Sequence, residues 1–229
     1  MKETIMRELP ILFSSPMIVK ILTCAKCSKI SLTVPCSHCG STEFCKTQTR
    51  RVAKPQPPKD AALVELHDAD YLVEELRGKV SWFVPSAHDL WPCNREDAIK
   101  PRYQVGDQLF VREAFYESPM TGEIAYKADG FVKGWRPRPS IHLPKIHSRL
   151  WLEVTAVKVE RVQDISEEDA KAEGVTIPTS LKILTDYYGK GSECRTMFEK
   201  LWDSINGKTY PWASNPWVFA YTFKRINQS

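Results

Sequence analysis

The order of apolar and polar positions along the 229-residue chain predicts short strands and a few helices. Runs of apolar, β-branched and aromatic residues, in part alternating with polar ones, are typical of strands with a buried face. Such runs occupy the segments 10–14, 108–115, 123–128, 149–162 and 217–226. In the longest run the alternation slips at Ala156 and Val157, which predicts a β-bulge or a sharp bend.

Helix signals occur at three places. Ser15 followed by Pro16 predicts a helix start with its body over 17–22, and Ser166 with three following carboxylates predicts a helix that ends at Gly174. A third helix is predicted over 192–206, with a core stripe of Met197, Phe198, Leu201, Trp202 and Ile205. Because short strands dominate, we predict an α+β fold built on a small β-barrel decorated by helices.

The size of the chain fits one globular domain over residues 1–229. A proline-rich break at 54–60 opens a segment, 55–100, that carries no recognisable chemistry and is predicted to be an insertion. We expect no membrane partner and a cytoplasmic location, because no apolar run approaches the roughly 18 residues of a membrane span and no signal peptide is evident.

Positive charge is concentrated in two parts of a chain whose formal net charge is only +4. Residues 1–54 are strongly basic, and the segment 131–150 contains five Lys or Arg residues and no acid. These two segments could line one cleft that attracts phosphate groups, or they could each form a solvated surface. The candidate binding residues around the second segment are Tyr126, Trp135, Arg136 and Arg138.

Five cysteines lie within 22 residues, and four of them form two CxxC pairs separated by eight residues. Four thiolates at this spacing predict a tetrahedral zinc site with a structural role, in a knuckle over residues 23–45. The alternatives are a redox pair or a metal-free reduced loop, and His38 and Cys45 are spare candidate ligands. The predicted ligands are Cys24, Cys27, Cys36 and Cys39.

The succession of PILFS, KTQTRRV, GDQLFVRE, WRPRPSIHLPK, VERVQDISEEDAKAEG and NPWVFAYTFKRI resembles the ASCH domains of the PUA-like superfamily, in particular those encoded by bacteriophages and prophages. The resemblance implies a compact β-barrel with a cleft for RNA or a nucleotide, acting in the bacterial cytoplasm. The sequence departs from the family pattern just before Lys46, where Phe44 and Cys45 replace the expected glycine and basic residue.

Some ASCH domains are similar to amidohydrolases that act on N4-acetylcytidine, and this resemblance implies Lys46, Thr49 and Glu173 as catalytic residues. A lysine of lowered pKa can take the hydroxyl proton of Thr49, and Glu173 can assist proton transfer to the leaving amine. Residues three apart lie on opposite sides of a regular strand, so Lys46 and Thr49 can cooperate only if KTQT is bent.

The same cleft can be interpreted as a binding site for RNA or a modified nucleotide, in which Lys46, Arg50 and Arg51 hold phosphate and Tyr126 or Trp135 stacks on a base. Glu113 lies with the apolar face of its strand, which predicts either a cleft-facing carboxylate or a salt bridge. A module that docks a protein partner through the zinc knuckle is a third hypothesis. Binding is the principal prediction, and hydrolysis is the alternative.

Overall fold

The structure, a computed structural model, describes residues 7–56 except 33, 35, 38, 40, 42 and 55, together with residues 101–175 and 193–227 and the backbone of 62–65 and 80–83. The strands within these residues are β1 (Glu8–Leu12), β2 (Gln48–Val52), β3 (Ala62–Glu65), β4 (Val80–Phe83), β5 (Gln108–Arg112), β6 (Phe115–Glu117), β7 (Ile124–Tyr126), β8 (Arg136–Arg138), β9 (Trp151–Arg161) and β10 (Trp217–Ile226). The α-helices are α1 (Ser15–Leu22), α2 (Glu167–Ala172) and α3 (Glu193–Asn206).

The main sheet has five strands in the order β1-β5-β9-β10-β2. The β1–β5 pair is parallel, and the remaining pairs of this sheet are antiparallel. A smaller antiparallel sheet has the order β7-β6-β8, and β3 pairs with β4. The α+β class is therefore confirmed.

The predicted small β-barrel is not closed by the described strands, because the five-stranded sheet is open, with β1 and β2 as its edges. The two edges are bridged by a side chain instead of a backbone ladder: the Arg51 Nη2 atom donates a 2.7 Å hydrogen bond to the carbonyl of Leu12. Pro10 in β1 has no N–H to donate, which suits it to an edge strand.

Several predicted elements occur with small shifts of their ends. Strand β10 has the predicted bounds, and Thr155 is the extra residue of a bulge, since Thr222 pairs with Ala156 while Phe223 pairs with Val154. The predicted strand over 108–115 is instead divided into β5 and β6, which leaves Glu113 between them.

Two apolar cores lie on opposite faces of the main sheet. One is formed with α1, and its most deeply buried members are Ile11, Ile18, Ile21, Leu22, Ala53, Leu109, Val111, Leu150, Leu152, Val154 and Tyr221. The other is formed with α2 and α3 around Phe198, Trp202, Trp212 and Val218. The prediction that the whole α3 stripe is core is wrong at Ile205, which is 64% exposed.

No helix in the described part of the chain has the length and apolar character required to cross a bilayer. Most of the predicted insertion over 55–100 lies outside the described residues. Within it, the structure describes Gln56 and the β3–β4 pair.

Candidate functional site

A cavity of about 490 Å³ lies between the β1–α1 junction, edge strand β2 and helix α3. Lys46, Thr49, Arg50, Arg51 and Glu173 all line it. These residues come from the approach to β2, from β2 itself and from the end of α2, so the fold brings together residues that are far apart in sequence. The volume is in the range of small-molecule sites.

Lys46 and Glu173 form a buried ion pair in the wall of this cavity. The Nζ atom of Lys46 lies 2.8 Å from Glu173 Oε2 and also donates to the backbone carbonyl of Glu173 at 2.8 Å. Burial lowers the pKa of the Lys46 ammonium below its ordinary value, and the charge of Glu173 opposes that shift. The lysine is thereby brought closer to the neutral form that a general base requires.

Glu173 holds this position because α2 ends there. Ser166 caps the N-terminus of α2 by accepting a hydrogen bond from the Asp169 N–H, and the chain leaves the helix through Gly174 at φ +83°. Both features were predicted from the sequence. A Cβ atom at position 174 would lie 3.2 Å from the Cβ atom of Lys46, so glycine permits the close approach.

Strand β2 begins at Gln48, so Lys46 and Thr47 of the KTQT segment precede it. The N–H of Thr47 donates to the Ala172 carbonyl of α2, while its carbonyl accepts from the N–H of Phe223 in β10. Lys46 therefore lies outside the regular strand, and Thr49 lies within it. Both residues line the cavity, and the Thr49 hydroxyl forms no hydrogen bond with another described residue.

Arg50 is a buried structural cation and does not present its charge freely to the cavity. Its guanidinium lies 2.6 Å from Glu160, 3.1 Å from Asp169 and 3.3 Å from Glu173. The side chain is 1% exposed. Arg50 alternates with Arg51 along β2, so the two side chains leave the strand on opposite faces.

The accessible charges of the cavity are positive. Arg51, Lys54 and Lys208 line it and form no salt bridge with another described residue, while Glu173 is the one carboxylate among the described lining residues and already contacts Lys46 and Arg50. The apolar and aromatic part of the lining comes from α3 and the segment that follows it, and consists of Phe198, Leu201, Trp202, Ile205 and Tyr210.

Glu113 belongs to a different cluster. It is fully buried, and both its oxygens accept hydrogen bonds from Arg149 at 2.7 and 2.9 Å. Arg149 also bonds Asp129 and stacks 4.0 Å from the ring centroid of Tyr126, whose hydroxyl donates to the His147 carbonyl. The salt-bridge interpretation of Glu113 therefore describes its environment. Burial raises its pKa, and Arg149 opposes that shift.

The second basic segment lies away from the cavity. Trp135, Arg136 and Arg138 are in or next to β8 and are not among the cavity-lining residues. Several of its cations are paired with acids from other elements: Arg138 with Glu117, Lys145 with Glu8 and Arg149 with Glu113. The two basic segments do not share this cavity in the described part of the chain.

The four predicted metal ligands converge. The Sγ atoms of Cys24, Cys27, Cys36 and Cys39 all lie within 4.8 Å of one another. The Cys24–Cys39 and Cys27–Cys36 sulfur distances are 3.6 and 3.8 Å, and the edge of a ZnS₄ tetrahedron with 2.3 Å bonds is about 3.8 Å. These distances are far longer than an S–S bond, and none of the four cysteines forms a disulfide bond with another described residue.

The two CxxC pairs occupy similar turns. The Cys24 N–H donates to the carbonyl of Lys29, and the Cys36 N–H donates to the carbonyl of Ser41 at the same sequence offset. A backbone hydrogen bond from Cys27 lowers the pKa of the Cys24 thiol, which favours the thiolate. Cys45 is outside the four-sulfur group, and burial raises its pKa. His38 lies outside the described residues.

Sequence reasoning missed two residues at the end of β10 that hold the cysteine loop. Arg225 donates to the carbonyls of Ser31 and Ile21, and the Asn227 side chain bonds both the N–H and the carbonyl of Val34. The sequence does contain one indication of Arg225. It continues the alternating positions Phe219, Tyr221 and Phe223 on the buried face of β10, where a charged residue is unexpected.

Comparisons with known protein families, with curated proteins and with solved structures find no match to this chain. The ASCH resemblance therefore stays a prediction, and function has to be inferred from the cavity and the cysteine cluster.

Proposed function

We propose that the cavity beside β2 binds a nucleotide or a short segment of RNA. The observation that carries this proposal is the charge of the cavity. Three lining cations, Arg51, Lys54 and Lys208, form no salt bridge with another described residue. The described lining includes one carboxylate, Glu173, which is already paired. A phosphate group matches such a set of donors.

The apolar and aromatic part of the lining supports the same ligand class. Trp202 and Tyr210 line the cavity, and Ile205 presents an exposed apolar side chain at its edge. The Nζ atom of Lys54 lies 5.8 Å from the centroid of the Tyr210 ring, so cationic and aromatic groups are neighbours in the lining. Such a combination suits a ligand with a flat base and an anionic phosphate. The ASCH resemblance points to the same class of ligand.

Binding is tested by titrating the protein with cytidine 5′-monophosphate, cytidine and a short single-stranded RNA, followed by tryptophan fluorescence. We expect the nucleotide and the RNA to bind more tightly than the nucleoside. The substitutions Arg51→Gln and Lys208→Gln should each weaken nucleotide binding by about tenfold, the effect of losing one hydrogen bond to a charged group.

Arg136→Gln is the matched control, because Arg136 is an exposed cation that does not line the cavity. It should leave nucleotide affinity unchanged. Absence of nucleotide and RNA binding, or loss of binding in Arg136→Gln alone, contradicts the proposed site.

Hydrolysis of an N4-acylated cytidine is the second candidate function, and the contact between Lys46 and Glu173 beside Thr49 favours it. In this mechanism Lys46 accepts the hydroxyl proton of Thr49 while the Thr49 oxygen bonds the acyl carbon. Glu173 assists proton transfer to N4 as the C–N bond breaks, and water then releases the acyl group from Thr49 as the free acid.

Chromatography of N4-acylated cytidines incubated with the protein tests this activity. Conversion to cytidine is expected for the wild type and not for Lys46→Ala or Thr49→Val. Thr49→Val preserves side-chain shape, and Thr47→Val is its matched control, which should stay active. No conversion by the wild type, or full activity of Thr49→Val, rejects the hydrolase.

We further propose that the four cysteines hold zinc with a structural role, since four protein thiolates leave no open coordination position for catalysis. Metal analysis of protein purified without chelator should find about one zinc per chain. Cys39→Ser should lose most of this metal, and Cys45→Ser should keep it. Metal-free wild-type protein contradicts the zinc site.

A further inference from the structure

Arg225 is a buried cation beneath the cysteine loop. It continues the buried face of β10 after Tyr221 and Phe223, and it is 7% exposed. Its Nη1 atom donates to the Ser31 carbonyl at 2.9 Å and to the Ile21 carbonyl at 3.4 Å. These acceptors are uncharged, so they satisfy donors without neutralising the guanidinium.

No carboxylate in the described part of the chain forms an ion pair with Arg225. Glu43 shares with it the lining of an adjoining cavity of about 330 Å³ but lies beyond ion-pair distance. An arginine side chain stays charged in proteins, and a buried charge without a counter-charge is strongly unfavourable. The position therefore requires a negative group close by.

The cysteine cluster is the group in the right place. The Arg225 guanidinium stacks 4.0 Å from the centroid of the Phe44 ring, and Phe44 packs against Cys24 and Cys36. Four thiols are neutral, and two disulfides are neutral. Four thiolates around a divalent ion carry two net negative charges, so this is the state of the cluster that supplies a counter-charge.

We infer that Arg225 is the counter-cation of an anionic tetrathiolate centre that holds a divalent metal ion. This inference rests on the proposed metal site and adds a residue that no ligand pattern would identify. Arg225 acts on the metal through the electrostatic field and through the position of Phe44, so it is a positioning residue and not a ligand. The last strand and the metal loop then stabilise each other.

Cobalt(II) is a suitable probe, because its absorption reports thiolate coordination and its affinity can be measured by competition with a chelator. We expect Arg225→Met to weaken cobalt binding about 10-fold to 100-fold, the usual range for residues that support metal ligands. Arg225→Lys keeps the charge and should recover most of the affinity. Tyr221→Phe, a change on the same buried face but outside the cavity that Arg225 shares with Glu43 and Phe44, should bind cobalt as the wild type does.

Unfolding of the apo and metal-loaded full-length proteins separates this role from a purely structural one. Apo Arg225→Met should be at least as stable as the apo wild type, because the unpaired cation is gone, while the metal should raise its stability less. Equal destabilisation in both states, or cobalt affinity within twofold of the wild type, overturns the inference. Failure of the wild type to bind cobalt through four thiolates instead rejects the metal site itself.

Discussion

The Nζ atom of Lys46 lies 2.8 Å from Oε2 of Glu173, although the two residues are 127 positions apart. Their side chains are 2% and 5% exposed. This pair joins the segment that enters β2 to the end of α2, and it forms the inner wall of the cavity. The position of the lysine therefore depends on the carboxylate. Burial lowers the pKa of the lysine, and Glu173 opposes that shift.

Glu173→Gln should destabilise the protein most at neutral pH. In the folded wild type, the pKa of Lys46 is below 10.5, so its protonation costs stability in full below that folded pKa, and the cost disappears as the pH rises from the folded pKa to 10.5. Removing Glu173 removes a group that raises this pKa, so the cost grows. We expect a loss of about 3 kcal/mol at neutral pH that shrinks toward about pH 10.

Urea unfolding at both pH values measures this effect. Glu168→Gln is the matched control, since Glu168 is an exposed carboxylate on the same helix. It should be close to neutral at both pH values. A Glu173→Gln deficit that does not change with pH would show that Lys46 is not the group responsible.

Arg50 and Arg51 are adjacent in sequence but should have opposite mutational effects. Arg50→Met leaves Glu160, Asp169 and Glu173 without their shared cation and should reduce the free energy of unfolding by about 3 to 5 kcal/mol. Arg51→Gln loses an exposed bond to the Leu12 carbonyl and should cost about 1 kcal/mol or less.

Nucleotide affinity should show the reverse order. Arg51→Gln should weaken nucleotide binding by about tenfold, whereas folded Arg50→Met should bind nearly as the wild type does. Unfolding curves and fluorescence titrations of the two variants test the pair together. Equal effects of the two substitutions on binding would mean that Arg50 also contacts the ligand.

Features that depend on residues close together in the sequence could be predicted, and features that depend on contacts between distant residues could not. The α2 cap at Ser166, the strand β10 and the CxxC turns depend on neighbouring residues and were predictable. The separation of Glu113 from the cavity was not, because its partner Arg149 is 36 residues away. Pairing across the fold also neutralises much of the second basic segment, which composition alone cannot show.

Loss of the metal should disturb the cavity as well as the cysteine loop. Cys24 bridges to Phe44, and the Cys45 N–H donates to the carbonyl of Thr23, so the loop ends immediately before Lys46. We expect Cys39→Ser to increase amide exchange in the cysteine loop over 23–45 and to weaken nucleotide binding. Cys45→Ser should do neither. Hydrogen exchange and fluorescence titration measure these two effects. If metal-free Cys39→Ser binds nucleotide as tightly as the wild type does, the cavity does not depend on the metal site, and the prediction is wrong.

Gly174→Ala should damage the site without removing any of its functional groups. A Cβ atom there would lie 3.2 Å from the Cβ atoms of both Lys46 and Lys20, and the residue has φ +83°, a conformation that costs alanine about 1 to 2 kcal/mol. Both effects push Lys46 away from Glu173. We therefore expect a loss of stability of this size. We also expect weaker nucleotide binding in the fluorescence titration, or a lower rate of acyl-cytidine hydrolysis if the protein has that activity. Gly130→Ala is the control. Gly130 also has a positive φ, +135°, but nothing lies within 4 Å of the added Cβ atom, so this variant carries the backbone strain without a contact to the site. If both variants lose stability but keep the cavity assay, the contact between Gly174 and Lys46 does not position the lysine.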